Sequence, residues 1–235
     1  LNFINILTYP RELNHTSKKQ KTAKSFKSLF RDFKSALQDR HVVQLMNSAA
    51  LHTAFLKAIK DYIQPVMYQL AILLPILTTI DIKRKSGLVI GVIYFVIFLL
   101  TSYASKSAFK LIALKKRNIP QWTLLAGLAA GSISGFLSIK EWWVAALLVF
   151  IAVFVIENLR KPILTATLSD SIPNEVLTSV FSAQSFYATI ITASIAIALG
   201  VVADQLGIGY ALLVISASLV MLNTLVGNPD LQKRF

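Results

Sequence analysis

Five stretches of this chain carry no charged residue at all: Leu88 to Tyr103, Gln121 to Ile139, Trp142 to Ile156, Val180 to Ala203 and Gly207 to Val226. Crossing the hydrocarbon of a bilayer takes about 20 apolar residues, with roughly 17 to 25 as the usual range. The two shorter blocks can make up a few residues through tilt and snorkelling flanks. Lipid offers backbone amides no partner, so each block must satisfy its own and be a helix. Only 15% of the 235 residues are charged and 55% are apolar. A soluble domain of this size draws about 25% of its residues from the charged types. The sequence therefore describes an all-α membrane protein.

The chain has no cysteine, which excludes disulfides, thiolate nucleophiles and zinc–cysteine sites. It begins with Leu1 in place of Met and shows no cleavable signal pattern, which reads as a piece of a longer protein. A formal net charge of +13 would suggest nucleic acid in a soluble protein. The charges here flank apolar blocks, so lipid rather than nucleic acid is the expected partner.

Residues 1 to 40 differ from the rest. Lys18, Lys19, Lys21, Lys24, Lys27, Arg31 and Lys34 alternate with Phe26, Leu29, Phe30, Phe33 and Leu37. Apolar positions at steps of three and four mark a basic amphipathic helix at a membrane surface. A solvated charged linker is the competing reading.

From His41 onward six spans are predicted, at about 42–62, 88–105, 121–139, 142–159, 179–203 and 207–226. Pro65 and Pro75 blur the first, and an alternative places it at Tyr62 to Ile80. Lys and Arg in the loops set the orientation. If residues 1–40 lie inside, that side holds 18 basic residues against six outside, so both ends are expected in the cytoplasm. Lys83 to Lys85 are the local exception. Trp142 and Trp143 fall where an outer aromatic anchor belongs.

Gly127, Gly131 and Gly135 form a ridge at four-residue spacing on the third span, which lets a neighbouring backbone approach closely. Ser132 and Ser134 nearby do not make a protease, since no later span supplies a histidine base. His15, His41 and His52 have no metal-ligand spacing, and no phosphate-binding glycine loop occurs. Neither an enzyme nor a bound cofactor is expected. The informative polar residues close the spans. Lys57 and Asp61 stand one helical turn apart, followed by Tyr62 and Gln64, and Glu157, Asn158 and Arg160 end the fourth span. Ionisable groups at membrane depth usually face a cavity or a partner. The plain alternative is a snorkelling helix end for the first group and an interfacial cap for the second.

Three segments, Leu56 to Pro65 (LKAIKDYIQP), Glu157 to Ser185 (ENLRKPILTATLSDSIPNEVLTSVFSAQS) and Gly200 to Leu213 (GVVADQLGIGYALL), resemble the carboxyl half of a bacterial major facilitator superfamily transporter. Tyr9 to Glu12 (YPRE) resembles the cytoplasmic end of that family's sixth helix. The loop at 106–118 departs from the family by lacking its Gly-Asp-Arg turn. The resemblance implies a basic central loop over 1–40 and a six-helix domain over 41–235, helices seven to twelve, built as two inverted three-helix repeats. It implies an amino-terminal six-helix half as partner, an unknown small solute as substrate, and alternating access as mechanism. Spans one and four would line the cavity, which makes Lys57, Asp61, Tyr62, Gln64, Glu157 and Asn158 the candidates for substrate or gate contact. A self-contained six-helix channel or scaffold with a lipid-binding basic segment is the alternative.

Overall fold

The computed structural model describes residues 26–75, 81–113 and 119–226. The YPRE motif, Lys18 to Lys24, Lys115 to Arg117 and the basic carboxyl end lie outside these residues. Every described element is helical. In chain order these are α1 (Phe26–Gln38), α2 (Arg40–Ile59), a 3-10 turn (Lys60–Tyr62), α3 (Ile63–Leu73), α4 (Ile82–Ala113), α5 (Ile119–Ile139), α6 (Trp143–Asp170), α7 (Asn174–Leu206) and α8 (Ile208–Val226). Four helices, over Ile82–Lys110, Ile119–Ile139, Trp143–Asp170 and Asn174–Leu206, are long and apolar enough to cross a membrane. They mark the chain as a membrane protein. The apolar helix over Ile208–Thr224 is shorter.

The helix boundaries follow from local chemistry. Asp39 caps α2, its carboxylate accepting from the amides of His41 at 2.7 Å and Val42 at 3.4 Å. Pro65 does not break the chain's course, because it occupies the third position of α3, where its missing N–H has no intrahelical acceptor. Helix α3 then runs on to Leu73, beyond the first span's expected end at 62. Leu74, which caps α3, gives its carbonyl to the ammonium of buried Lys85 at 2.5 Å. That cation at a helix C-terminus accounts for one basic residue on the side read as external.

The turn between α5 and α6 is a Schellman motif: the Trp142 amide bonds the Leu137 carbonyl at 3.0 Å, and the Glu141 amide bonds that of Ser138 at 3.1 Å. Glu141 occupies the left-handed position, with φ 60°, where glycine is usual. Between α7 and α8 that conformational freedom is used: Gly207, at φ 91°, joins them with no further loop.

Helix α5 packs on α8, α6 and α2, and α6 also meets α4, α2 and α3. The glycine ridge is buried at these crossings. A Cβ on Gly131 would stand 2.5 Å from Phe55 Cζ and 2.6 Å from Ser216 Oγ. One on Gly135 would stand 2.7 Å from the Gly209 carbonyl of α8. Ser134, in the same stretch, donates across to the Ala146 carbonyl of α6 at 2.9 Å. The sequence expectation of a close-packing ridge thus acquires its partners, α2 and α8.

A second apolar cluster sits at the end of the bundle where α1 docks. Phe33, Ala36 and Leu37 of α1 meet Val42, Leu45 and Met46 of α2, Leu164 and Leu168 of α6, and Val176 and Val180 of α7. The described apolar side of α1 therefore rests on protein, where the sequence suggested lipid.

Candidate functional site

Of the residues singled out from sequence, one group forms a stripe and the other divides. Lys57, Asp61 and Gln64 are all exposed, as is Tyr68, so steps of four, three and four put them along one side of the continuous α2–α3 rod. No ion pair between Lys57 and Asp61 occurs among the described residues. The Gln64 amide reaches the Tyr94 hydroxyl of α4 at 3.5 Å, a long contact. Tyr62 is half-buried against the main core. Earlier on the rod, Tyr187 of α7 donates its hydroxyl to Asn47 Oδ1 at 3.1 Å.

Glu157 and Asn158 have different surroundings despite adjacency. Asn158 bonds within its own helix, its amide donating to the Phe154 carbonyl at 2.9 Å. Glu157 is buried, and its Oε2 accepts from His52 Nδ1 at 2.7 Å. Its Oε1 accepts the Thr53 hydroxyl. Three residues along α6, Arg160 is 1% exposed. One guanidinium nitrogen donates to the Pro120 carbonyl at 2.5 Å and Thr123 Oγ1 at 2.7 Å. The other donates to the Ser48 carbonyl at 3.1 Å and its hydroxyl at 3.0 Å. A carboxylate and a guanidinium one helical turn apart oppose each other's charge, and four acceptors take bonds from the two terminal nitrogens, while the buried Nε of Arg160 has no partner among the described residues; a buried pair is tolerable only with extensive bonding.

His52 is fully buried and holds its Nδ1–H toward Glu157. Its Nε2 has no hydrogen-bond partner among the described residues. An N–H there would point at the backbone of Gly127, so the surroundings favour the tautomer protonated on Nδ1. This cluster of Ser48, His52, Thr53, Thr123, Glu157 and Arg160 ties α2, α5 and α6 together.

Sequence reading missed His52 and treated Arg160 as an interfacial cap. The one available signal was that His52 falls within a segment read as membrane-spanning and Arg160 at the very end of another, where ionisable groups need partners. The pairing of His52 with Glu157 spans 105 residues of chain and has no local trace.

Among the described residues, no three His, Cys, Asp or Glu side chains gather to hold a metal ion. A cavity of about 410 Å³ lies between the end of α3 and the start of α6, walled mainly by Leu70, Leu73, Trp142 and Trp143. Its lining does not include the polar stripe. No family of known proteins, no curated protein and no solved structure matches this chain.

Proposed function

We propose that this chain is the carboxyl-terminal half of a secondary active transporter of the major facilitator type, moving a small solute by alternating access. The observation that carries the reading is the stripe of Lys57, Asp61 and Gln64. Exposed polar side chains on a rod within an apolar bundle are costly against lipid and cheap against a wet cavity. In this reading the stripe faces a central path, and a second six-helix half forms the opposite wall.

The helix contacts support the architecture. Exchange α2–α3 with α6, α4 with α7, and α5 with α8. The α2·α7 contact then becomes the α4·α6 contact, and α5·α8 and α2·α6 become themselves. These contacts occur, as two inverted three-helix repeats require, whereas α5·α6, α7·α8 and α3·α4 have no substantial counterpart under the same exchange, so the correspondence is partial. Both ends of the chain then lie in the cytoplasm, with Trp142 and Trp143 at the outer surface.

The test uses the full transporter. Asp61→Asn and Lys57→Gln are exposed substitutions, so both should express and melt as wild type does. Solute uptake or efflux should fall at least tenfold. Unchanged transport by both variants defeats the role given to the stripe. The chain alone should give no solute flux in liposomes, and robust flux would favour a self-contained channel.

A further inference from the structure

Helices α6 and α7 are longer than a membrane needs. Their 28 and 33 residues correspond to about 42 and 50 Å at 1.5 Å per residue, against a hydrocarbon core of about 30 Å. Trp142 and Trp143 anchor the start of α6 at one interface. About 20 residues later the helix leaves the hydrocarbon, near Pro162. Asp204 and Gln205 are exposed at the far end of α7. Counting back about 20 residues from Ala203 puts the opposite boundary near Gln184. Leu164, Leu168, Val176 and Val180 therefore lie beyond the hydrocarbon, in the headgroup layer. These are the residues on which α1 rests.

That depth decides what the outer side of α1 meets. Its apolar residues Phe33, Ala36 and Leu37 are used in docking against protein. Arg31 and Lys34 are exposed, as are Arg40 at the start of α2 and Lys161 on α6. Asp39, the acid at the junction, is engaged in capping α2, and Asp32 on α1 with Asp170 and Glu175 at the α6–α7 turn are the other acids at this end. The sequence just before α1 adds Lys18, Lys19, Lys21 and Lys24. A basic helix clamped at phosphate level on a membrane bundle meets headgroups before it meets any soluble polyanion.

We propose that the exposed side of α1, through Arg31 and Lys34 with the exposed Arg40 and Lys161, binds the headgroups of anionic phospholipids electrostatically. The partner is the leaflet itself. The surface is independent of the transport reading and rests only on the chain being a membrane protein.

The experiment uses the whole 235-residue chain with an environment-sensitive dye on Ser35→Cys, an exposed site on α1 in a protein without native cysteine. Nanodiscs of phosphatidylcholine alone are compared with nanodiscs that also contain phosphatidylglycerol. The dye should become shielded from a soluble quencher only in the anionic discs, and high salt should reverse the shielding. Arg31→Gln and Lys34→Gln should each weaken leaflet occupancy about fivefold. Arg31→Lys and Lys34→Arg, which keep the charge, should retain it. Equal accessibility in both disc types overturns the proposal, and so does shielding that survives both glutamine variants. Shielding already complete in neutral discs would mean a protein surface covers α1. Inorganic phosphate reproducing the effect in neutral discs would mean a free-anion site. Either result also overturns it.

Discussion

The backbone of Gly127 abuts the Nε2 edge of the His52 imidazole: a Cβ at Gly127 would lie 2.6 Å from Cδ2 and closer still to Nε2. The ring cannot swing aside, because its Nδ1 is bound to Glu157 at 2.7 Å. The third-span glycine and the first-span histidine are therefore one fitted pair, 75 residues apart in the sequence.

Gly127→Ala should destabilise the chain by about 1–3 kcal/mol, the usual cost of overpacking a fitted core. In a His52→Ala background the same change should cost much less, since the obstructing ring is gone. Thermal unfolding of the two single variants and the double variant in detergent measures this coupling. Additive losses would show that Gly127 is tight for some other reason.

Breaking the cluster from the Arg160 side should cost more. Arg160→Gln leaves Glu157 buried without its opposing charge and frees the acceptors of Ser48, Pro120 and Thr123. Removal of one member of a buried charged pair costs about 3–5 kcal/mol. The double variant Glu157→Gln/Arg160→Gln should be less damaged than the sum of its parts, because no lone charge remains. Denaturant unfolding of the four proteins decides this.

Glu141 gives a prediction of opposite sign. A side chain at φ 60° costs about 1–2 kcal/mol relative to glycine. Its position in the Schellman turn is the one glycine ordinarily occupies. Glu141→Gly should therefore raise the melting temperature in detergent. A lower one would mean that the carboxylate contributes more than its backbone strain costs.

The proposed topology places the two ends of α6 on opposite sides of the membrane. In intact cells a membrane-impermeant thiol reagent should label Lys140→Cys and leave Ser171→Cys, at the other end of α6, untouched until the cells are opened. Both positions are outside the four membrane-crossing helices. Labelling of Ser171→Cys from outside contradicts cytoplasmic ends.

What was legible in the sequence is what repeats locally. Uncharged blocks announce apolar helices because charge is scarce and costly in lipid. The ridge of Gly127, Gly131 and Gly135 was readable because four-residue spacing fixes a face without knowledge of its neighbour. The neighbours were not readable, since Phe55, Ser216 and Gly209 reach the ridge only through tertiary packing. Arg160 misled because a basic residue near the end of an apolar block usually snorkels to the headgroups. Here it turns inward, to carbonyls and hydroxyls of α2 and α5. Pro65 misled in the same way, since a proline marks a helix boundary unless it falls within a first turn.

Ser48, His52 and Phe55 follow one another along α2 at steps of four and three, and each is fitted to something different: Arg160, Glu157 with Gly127, and Gly131. A one-residue slide of α2 would rotate it by about 100° and undo all three fits together. Partial slippage would lose all three fits at once, which favours α2, α5 and α6 moving together. Any change of shape in this chain then has to be hinged elsewhere. The broad, sparsely covered faces of α4 and α7 are open to their surroundings, while their other faces pack on α6 and α2.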